Sequence, residues 1–368
     1  MHTTPDKKHF IVYRDEKLYC AFPDIVKLQN GEFLVVFREA PRRKNVTHLD
    51  PESSAVVLRS RDGGVTWGDR TIIHNDQDAV QDPSIMQLCD GTILSNFFKW
   101  RITREKEALD GLGPIYSHVS SDRGFPEAYW AAIVGAFVTR SLDGGKTWQT
   151  PMAVGGGKYK ALATSSPSIE CQNGRLLMPL YINLDENLGK QLKLNFEGQM
   201  ALIAGSTDAG KTWPEMIPVA SDAKENVLLE EPALVQLRSG KILCMMRVSS
   251  AGGDYLRQCE SFDEGRTWSP SRKTVIMGHP PHLLQLHDGR VLCSYGYRHQ
   301  PFGIRACLSN DEGKTWDIEH EIIVRNDGRN PDLGYPSSVE IKPGMILTVY
   351  YFHDETETRF IAGSIFAV

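Results

Sequence analysis

Six prolines each stand eight residues ahead of a turn glycine, or seven in one case, and several residues just before them are of types that do chemistry. These residues are Phe22, Asp82, Ser166, Glu231, Pro280 with His279 beside it, and Tyr335. The apolar run after each glycine ends in Arg38, Tyr181, Arg247 or Arg298 in four of the repeats, and the run after that begins near Asp50, Arg257 or Arg305 in three. Arginines hold an anion through charge-assisted, partly bidentate hydrogen bonds. Carboxylates and imidazoles take up and return protons, and a phenol beside a base can act as a nucleophile. Taken singly, each residue reads as a solvated loop residue or a rim ion pair. Gathered at equivalent positions of a repeat they argue for a site, because crowded charges are costly unless used or paired.

The elements that must position them are legible in two repeats. Five segments fit S-x-D-x-G-x-T-W: Ser60 to Trp67, Ser141 to Trp148, Ser206 to Trp213, Ser261 to Trp268 and Ser309 to Trp316. In each, the Asp carboxylate can accept hydrogen bonds from the turn's own backbone, Gly takes a backbone angle closed to other residues, and Trp packs between strands. This is a structural staple. In register with it run Pro23 to Gly31, Pro83 to Gly91, Pro167 to Gly174, Pro232 to Gly240, Pro281 to Gly289 and Pro336 to Gly344. Each glycine is followed by a β-rich run, a third run ending at the Asp-containing turn, and a fourth after the Trp.

Four antiparallel strands repeated six times predict an all-β, six-bladed β-propeller over residues 1–368, with an insertion at about 99–129. The sixth unit ends without its fourth strand, and His9 to Tyr13 is expected to supply it and close the ring. In such a meander the first-strand starts, second-strand ends and third-strand starts share one face, and the Asp-containing turns lie on the other. The insertion and Leu184 to Gln199 leave from the first face and are expected to roof a pocket there, with Trp130 able to stack on a ligand or to pack.

Composition narrows the partners. With 41 Lys+Arg against 46 Asp+Glu in 368 residues, the net charge of −5 does not suit a nucleic acid or another polyanion. The most apolar stretch, Ala128 to Val138, is far short of the roughly 20 residues that span a bilayer. No secretion signal is read at the N-terminus, so a cytoplasmic location is expected. The seven cysteines are scattered and never spaced CxxC, which predicts small buried hydrophobes in a reducing compartment. No metal or cofactor motif is present, and none is expected.

With these motifs in hand, the sequence resembles the sialidases (neuraminidases) over nearly its whole length. The resemblance implies a propeller of sialidase type and an exo-acting retaining glycosidase that releases a terminal sialic acid or related acidic sugar from a glycan. It maps the family's paired Glu and Tyr onto Glu231, in Glu-Glu-Pro-Ala-Leu-Val, and Tyr335, in Gly-Tyr-Pro-Ser-Ser-Val, the Tyr as nucleophile. Two carboxylate-binding arginines map onto Arg247 and Arg305, the acid/base Asp onto Asp50 in Thr-His-Leu-Asp-Pro, and a pocket carboxylate onto Asp82. His279 and Arg298 are further candidates to contact substrate. The family's first arginine, in Arg-Ile-Pro, is replaced in Ala21-Phe22-Pro23, and Arg38, Arg42 and Arg43 are the residues able to stand in for it. A glycan-binding propeller without turnover, a glycosidase or lyase for another acidic sugar, and a protein-binding scaffold are the alternative readings.

Overall fold

Each proline-to-glycine segment folds as the inner strand of an antiparallel sheet in the computed structural model, which describes residues 8–44, 48–117, 129–157, 161–184, 198–221, 227–249 and 254–368. Six such sheets form the ring, so the predicted six-bladed propeller is the observed architecture. Blade 1 runs Leu18–Lys27, Phe33–Pro41, Ser54–Ser60 and Gly68–His74 from the axis outward. Blade 4 repeats the pattern with Leu228–Gln236, Ile242–Ser249, Tyr255–Ser261 and Arg272–Met277, and blade 5 with Pro281–Gln285, Val291–Tyr297, Phe302–Ser309 and Asp317–Gly328.

Blades 2 and 3 are less regular. The second strand of blade 2 is lengthened to Ile93–Thr103, and the insertion continues through a 3-10 turn at Lys106–Leu109 and a short strand, Tyr116–Ser117, paired with Trp130–Ser141. Residues 118–128 and 185–197, on which the roof expectation depends, lie outside the described residues, as does His118. Trp130 opens its strand with Lys106 Nζ 4.9 Å from its ring centroid.

Blade 6 is built from both ends of the chain. Gly334–Lys342, Met345–His353 and Arg359–Ala367 are completed by Lys8–Tyr13, which pairs antiparallel with Arg359–Ala367 from Lys8 opposite Ile365 onward. Phe10 covers Gly363, where an added Cβ would lie 2.5 Å from the ring. Deleting residues 1–15 exposes the edge of Arg359–Ala367 and should give aggregation or a fall in Tm of about 5 °C or more. Gly363→Val should reproduce the defect in the full chain. An unchanged melting curve for both variants would show that the ring does not depend on this strand.

The Asp-containing turns join neighbouring blades. In the first, Asp62 Oδ1 accepts from the Thr66 amide at 2.9 Å and the Ser60 hydroxyl at 2.8 Å, and the other four repeat this. The turn glycines Gly64, Gly145, Gly210, Gly265 and Gly313 have φ between +73° and +89° and abut Leu347, Leu34, Leu94, Leu177 and Leu243 of the preceding blade. A side chain there would both strain the backbone and strike a core leucine. Six of the seven cysteines are buried among these core residues, and Cys89 is exposed.

Candidate functional site

Four of the six pre-proline residues adopt a backbone shape that side chains ordinarily avoid. Phe22, Asp82, Glu231 and Tyr335 have φ of +56°, +46°, +47° and +50°. Each sits in a break of the ladder between first and second strands, at Ala21/Asp24, Gln81/Ser84, Glu230/Ala233 and Gly334/Ser337. A bulge re-aims a side chain, and a left-handed non-glycine residue costs about 1–3 kcal/mol, a strain that clusters at functional sites. The repeat thus turns four side chains toward the axis by one local device.

Tyr335 and Glu231, which are 104 residues apart, meet there: the Tyr335 hydroxyl donates to Glu231 Oε1. Arg247 Nη1 donates to Glu231 Oε1 and Oε2 at 3.2 and 3.1 Å. Burial, followed by the charges of Glu231 and Asp82, holds the Tyr335 phenol well above its ordinary range against the pull of Arg247 and Arg298. Tyr335 is therefore a neutral hydroxyl already bonded to a base. Arg298 is 5.7 Å over the Tyr335 ring centroid, donates to Leu333 O at 3.0 Å and reaches the Tyr351 hydroxyl at 3.3 Å. His279 is buried, and burial together with Arg247 and Arg298 pushes its imidazole down to about 2, so it stands there uncharged.

Asp82 is buried with Oδ2 accepting from Ser165 Oγ at 2.6 Å and Oδ1 without a partner among the described residues. Burial, then the charge of Glu231, raises its carboxyl to about 7, opposed by the Ser165 bond and Arg38. A free aspartate ionises near 4. The stability of the protonated folded form is therefore present below about pH 4 and lost as pH rises toward 7. Asp82→Asn is expected to melt about 2 °C or more above the wild type at pH 8 and level with it near pH 4. Parallel Tm curves over that range would show that Asp82 carries no such cost.

Arg38 lies directly across the ladder from Ala21, so its side chain shares the face from which the family's first arginine is missing. It is 0% exposed, and none of its three guanidinium nitrogens has a hydrogen-bond partner among the described residues. Its surroundings are Tyr19, Asp50 and Asp82. The other two stand-ins are committed elsewhere: Arg42 donates to Thr358 Oγ1 at 2.9 Å, and Arg43 clamps Asp50.

One expected placement is corrected. Arg305 does not join this group: its Nη1 donates to Glu321 on the outermost strand of blade 5, and its guanidinium lies 3.3 Å over the Tyr297 ring centroid. The arginine that blade 5 brings beside Tyr335 is Arg298, at the end of the second strand rather than within the third. Asp50 is enclosed near Arg38, and both of its oxygens are engaged, Oδ2 by Arg43 Nε at 2.8 Å and Oδ1 by Arg43 Nη2 at 3.1 Å and the Glu52 amide at 3.0 Å.

Sequence reasoning passed over His48 and Asp332. Asp332 accepts from the hydroxyls of Tyr19 at 3.1 Å and Tyr351 at 3.0 Å and from Arg359 Nε at 2.8 Å, and it pairs with His48 Nε2 at 2.8 Å. The only sequence signal was His48 standing two residues before Asp50.

A cavity of about 680 Å³ lies at the opposite end of the axial channel, lined by the far ends of all six first strands and by none of Tyr335, Glu231, Arg38 and Arg247. Its polar lining is largely spent on joining blades: Gln87, Gln236 and Gln285 accept from the amides of Gln29, Gln172 and Arg238 at 2.8–2.9 Å. Beneath Tyr335 and Asp82 the axis narrows to about 20 Å³, room for a single water.

The profile of the BNR repeat-like domain family matches residues 126–347. The sialidase of Micromonospora viridifaciens is 25% identical over 266 residues, which cover 67% of this chain and 35% of that protein, so the chain spans about a third of this relative's length. The crystal structure of a protein of unknown function from Dyadobacter fermentans superposes with a TM-score of 0.82 at 32% identity, covering 98% of both chains. The NanB sialidase of Streptococcus pneumoniae shares the fold, with a TM-score of 0.70 at 14% identity over 98% of this chain and 70% of that one.

Proposed function

The chain belongs to the BNR repeat-like domain family, and from that premise we propose that it is an exo-acting, retaining glycosidase of sialidase type, cleaving a terminal sialic acid or related acidic sugar through Tyr335. The observation that carries this reading is the Tyr335 hydroxyl bonded to a Glu231 held by Arg247, beside a buried Arg38 that has no hydrogen-bond partner among the described residues.

The residue types fit the substrate chemistry. A sialic acid bears a carboxylate on its anomeric carbon, so a carboxylate nucleophile meets like charge, whereas a neutral phenol does not. Tyr335 attacks the anomeric carbon as Glu231 takes its proton, and the bond to the leaving oxygen breaks. Arg38, Arg247 and Arg298 grip the substrate carboxylate and fix the ring before reaction. The leaving oxygen takes its proton from the His48–Asp50 loop, and water then releases the sugar from Tyr335 with net retention.

The test is incubation of the purified chain with fluorogenic α-sialosides beside uronides and other acidic glycosides. Release of the fluorophore from an acidic glycoside supports the reading. An unsaturated, ultraviolet-absorbing product would instead make the protein a lyase, and binding without turnover would make it a glycan-recognition propeller.

A further inference from the structure

A retaining mechanism needs one group that protonates the leaving oxygen and later takes a proton from water. Asp50 is poorly placed for this, since its side chain is 0% exposed and Arg43 and the Glu52 amide engage both oxygens. On the same loop, the side chain of His48 is 41% exposed. Its ring centroid lies 5.1 Å from that of Phe22, which stands edge-on to Tyr335 at 4.7 Å. His48 is thus one aromatic ring away from the nucleophile.

Its orientation is fixed from behind. Asp332 receives bonds from Tyr19, Tyr351 and Arg359 as well as His48, and so cannot swing. Burial works to raise its carboxyl, but the His48 bond and charge, with Arg359 and Arg298, outweigh this and keep it ionised. An ionised carboxylate only accepts, so Nε2 carries the fixed proton and donates to Oδ1 at 2.8 Å. Nδ1, with no partner among the described residues, is the nitrogen left to exchange protons, the arrangement by which a carboxylate orients a catalytic imidazole.

We propose that His48 is the acid/base catalyst of this site and that Asp332 is its positioning residue, an assignment that rests on the Tyr335 glycosidase reading. The steps balance. In the first, Tyr335 Oη bonds the anomeric carbon, its proton passes to Glu231, the glycosidic C–O bond breaks, and the imidazolium of His48 gives its Nδ1 proton to the leaving oxygen. In the second, neutral His48 takes a proton from water as that water attacks the anomeric carbon, the bond to Tyr335 breaks, and Glu231 returns the proton to the phenol.

The experiment compares the methyl and 4-nitrophenyl glycosides of the acidic sugar that the wild type cleaves, because only the methyl glycoside depends on protonation of its leaving group. His48→Gln should lower kcat/KM, which reports the step that expels the leaving group, by roughly 10²–10⁴-fold on the methyl glycoside and by less than tenfold on the nitrophenyl glycoside, while kcat on both falls because the base that activates water is lost. His48→Ala should regain activity with added imidazole. Asp332→Asn should show the same dependence of kcat/KM on the leaving group. Asp50→Asn should change both substrates alike. An active wild type whose His48 variants lose kcat/KM equally on both substrates, or on neither, overturns the assignment alone. So does the leaving-group dependence appearing in Asp50→Asn instead. A wild type inactive on every acidic glycoside overturns the assignment and the glycosidase reading together.

Discussion

Tyr335→Phe is expected to abolish turnover, by on the order of 10³-fold or more in kcat, while leaving KM and the fold nearly unchanged. The substitution removes one oxygen. The ring keeps its edge contact with Phe22 at 4.7 Å, its neighbour Tyr351 at 6.0 Å and the Arg298 guanidinium above it at 5.7 Å. Glu231 loses the hydroxyl but retains both bonds from Arg247, so no carboxylate is left unpaired and the stability change should stay within about 1 kcal/mol. The wild type should also form a covalent adduct with a fluorinated acidic sugar, and peptide mass spectrometry should place it on Tyr335. Inversion at the anomeric centre, or full activity in Tyr335→Phe, would rule out the phenol as nucleophile.

Arg38→Met is expected to have two opposite effects: a more stable protein and the loss of acidic ligands. A guanidinium with no exposure and no hydrogen-bond partner among the described residues bears a desolvation cost that the nearby charges of Asp50 and Asp82 offset only in part. Burial accordingly pulls its pKa below the ordinary arginine range. Methionine fills much of the same volume without the charge and should stabilise the fold by about 1–4 kcal/mol, read as a rise in Tm. The charge-assisted bonds to a substrate carboxylate are worth about 1.5–3 kcal/mol each, so affinity should fall roughly 10- to 100-fold. A sialic acid that raises the Tm of the wild type should not raise that of the variant. If Arg38→Met melts lower than the wild type, the arginine is there for packing and not for an anion.

Much of the candidate site was legible in the sequence, but only where the repeat itself carried the information. Glu231 and Tyr335 precede equivalent prolines in blades 4 and 6, and equivalence in a closed ring is enough to bring them together from 104 residues apart. The choice among Arg38, Arg42 and Arg43 was not legible, since all three lie in or just after the same strand. One residue of register sends alternate side chains to opposite faces, and the pairing of Ala21 with Arg38 is what selects Arg38. The same limit explains Arg305, whose guanidinium turns outward to Glu321 and Tyr297.

The sequence by itself determined the number of blades, the turns that staple them, the strand that closes the ring and the face on which the candidate residues gather. These follow from short-range rules, in which proline, glycine and aspartate set backbone angles and turn hydrogen bonds within about ten residues of themselves. Only the tertiary structure decided which charges are spent and which are left open. Asp50 is taken up by Arg43, Asp332 brings together Tyr19, His48, Tyr351 and Arg359, and Arg38 is left with no hydrogen-bond partner among the described residues. Such pairings depend on burial and on side chains from different blades arriving at one point, quantities that a local pattern of residue types does not contain.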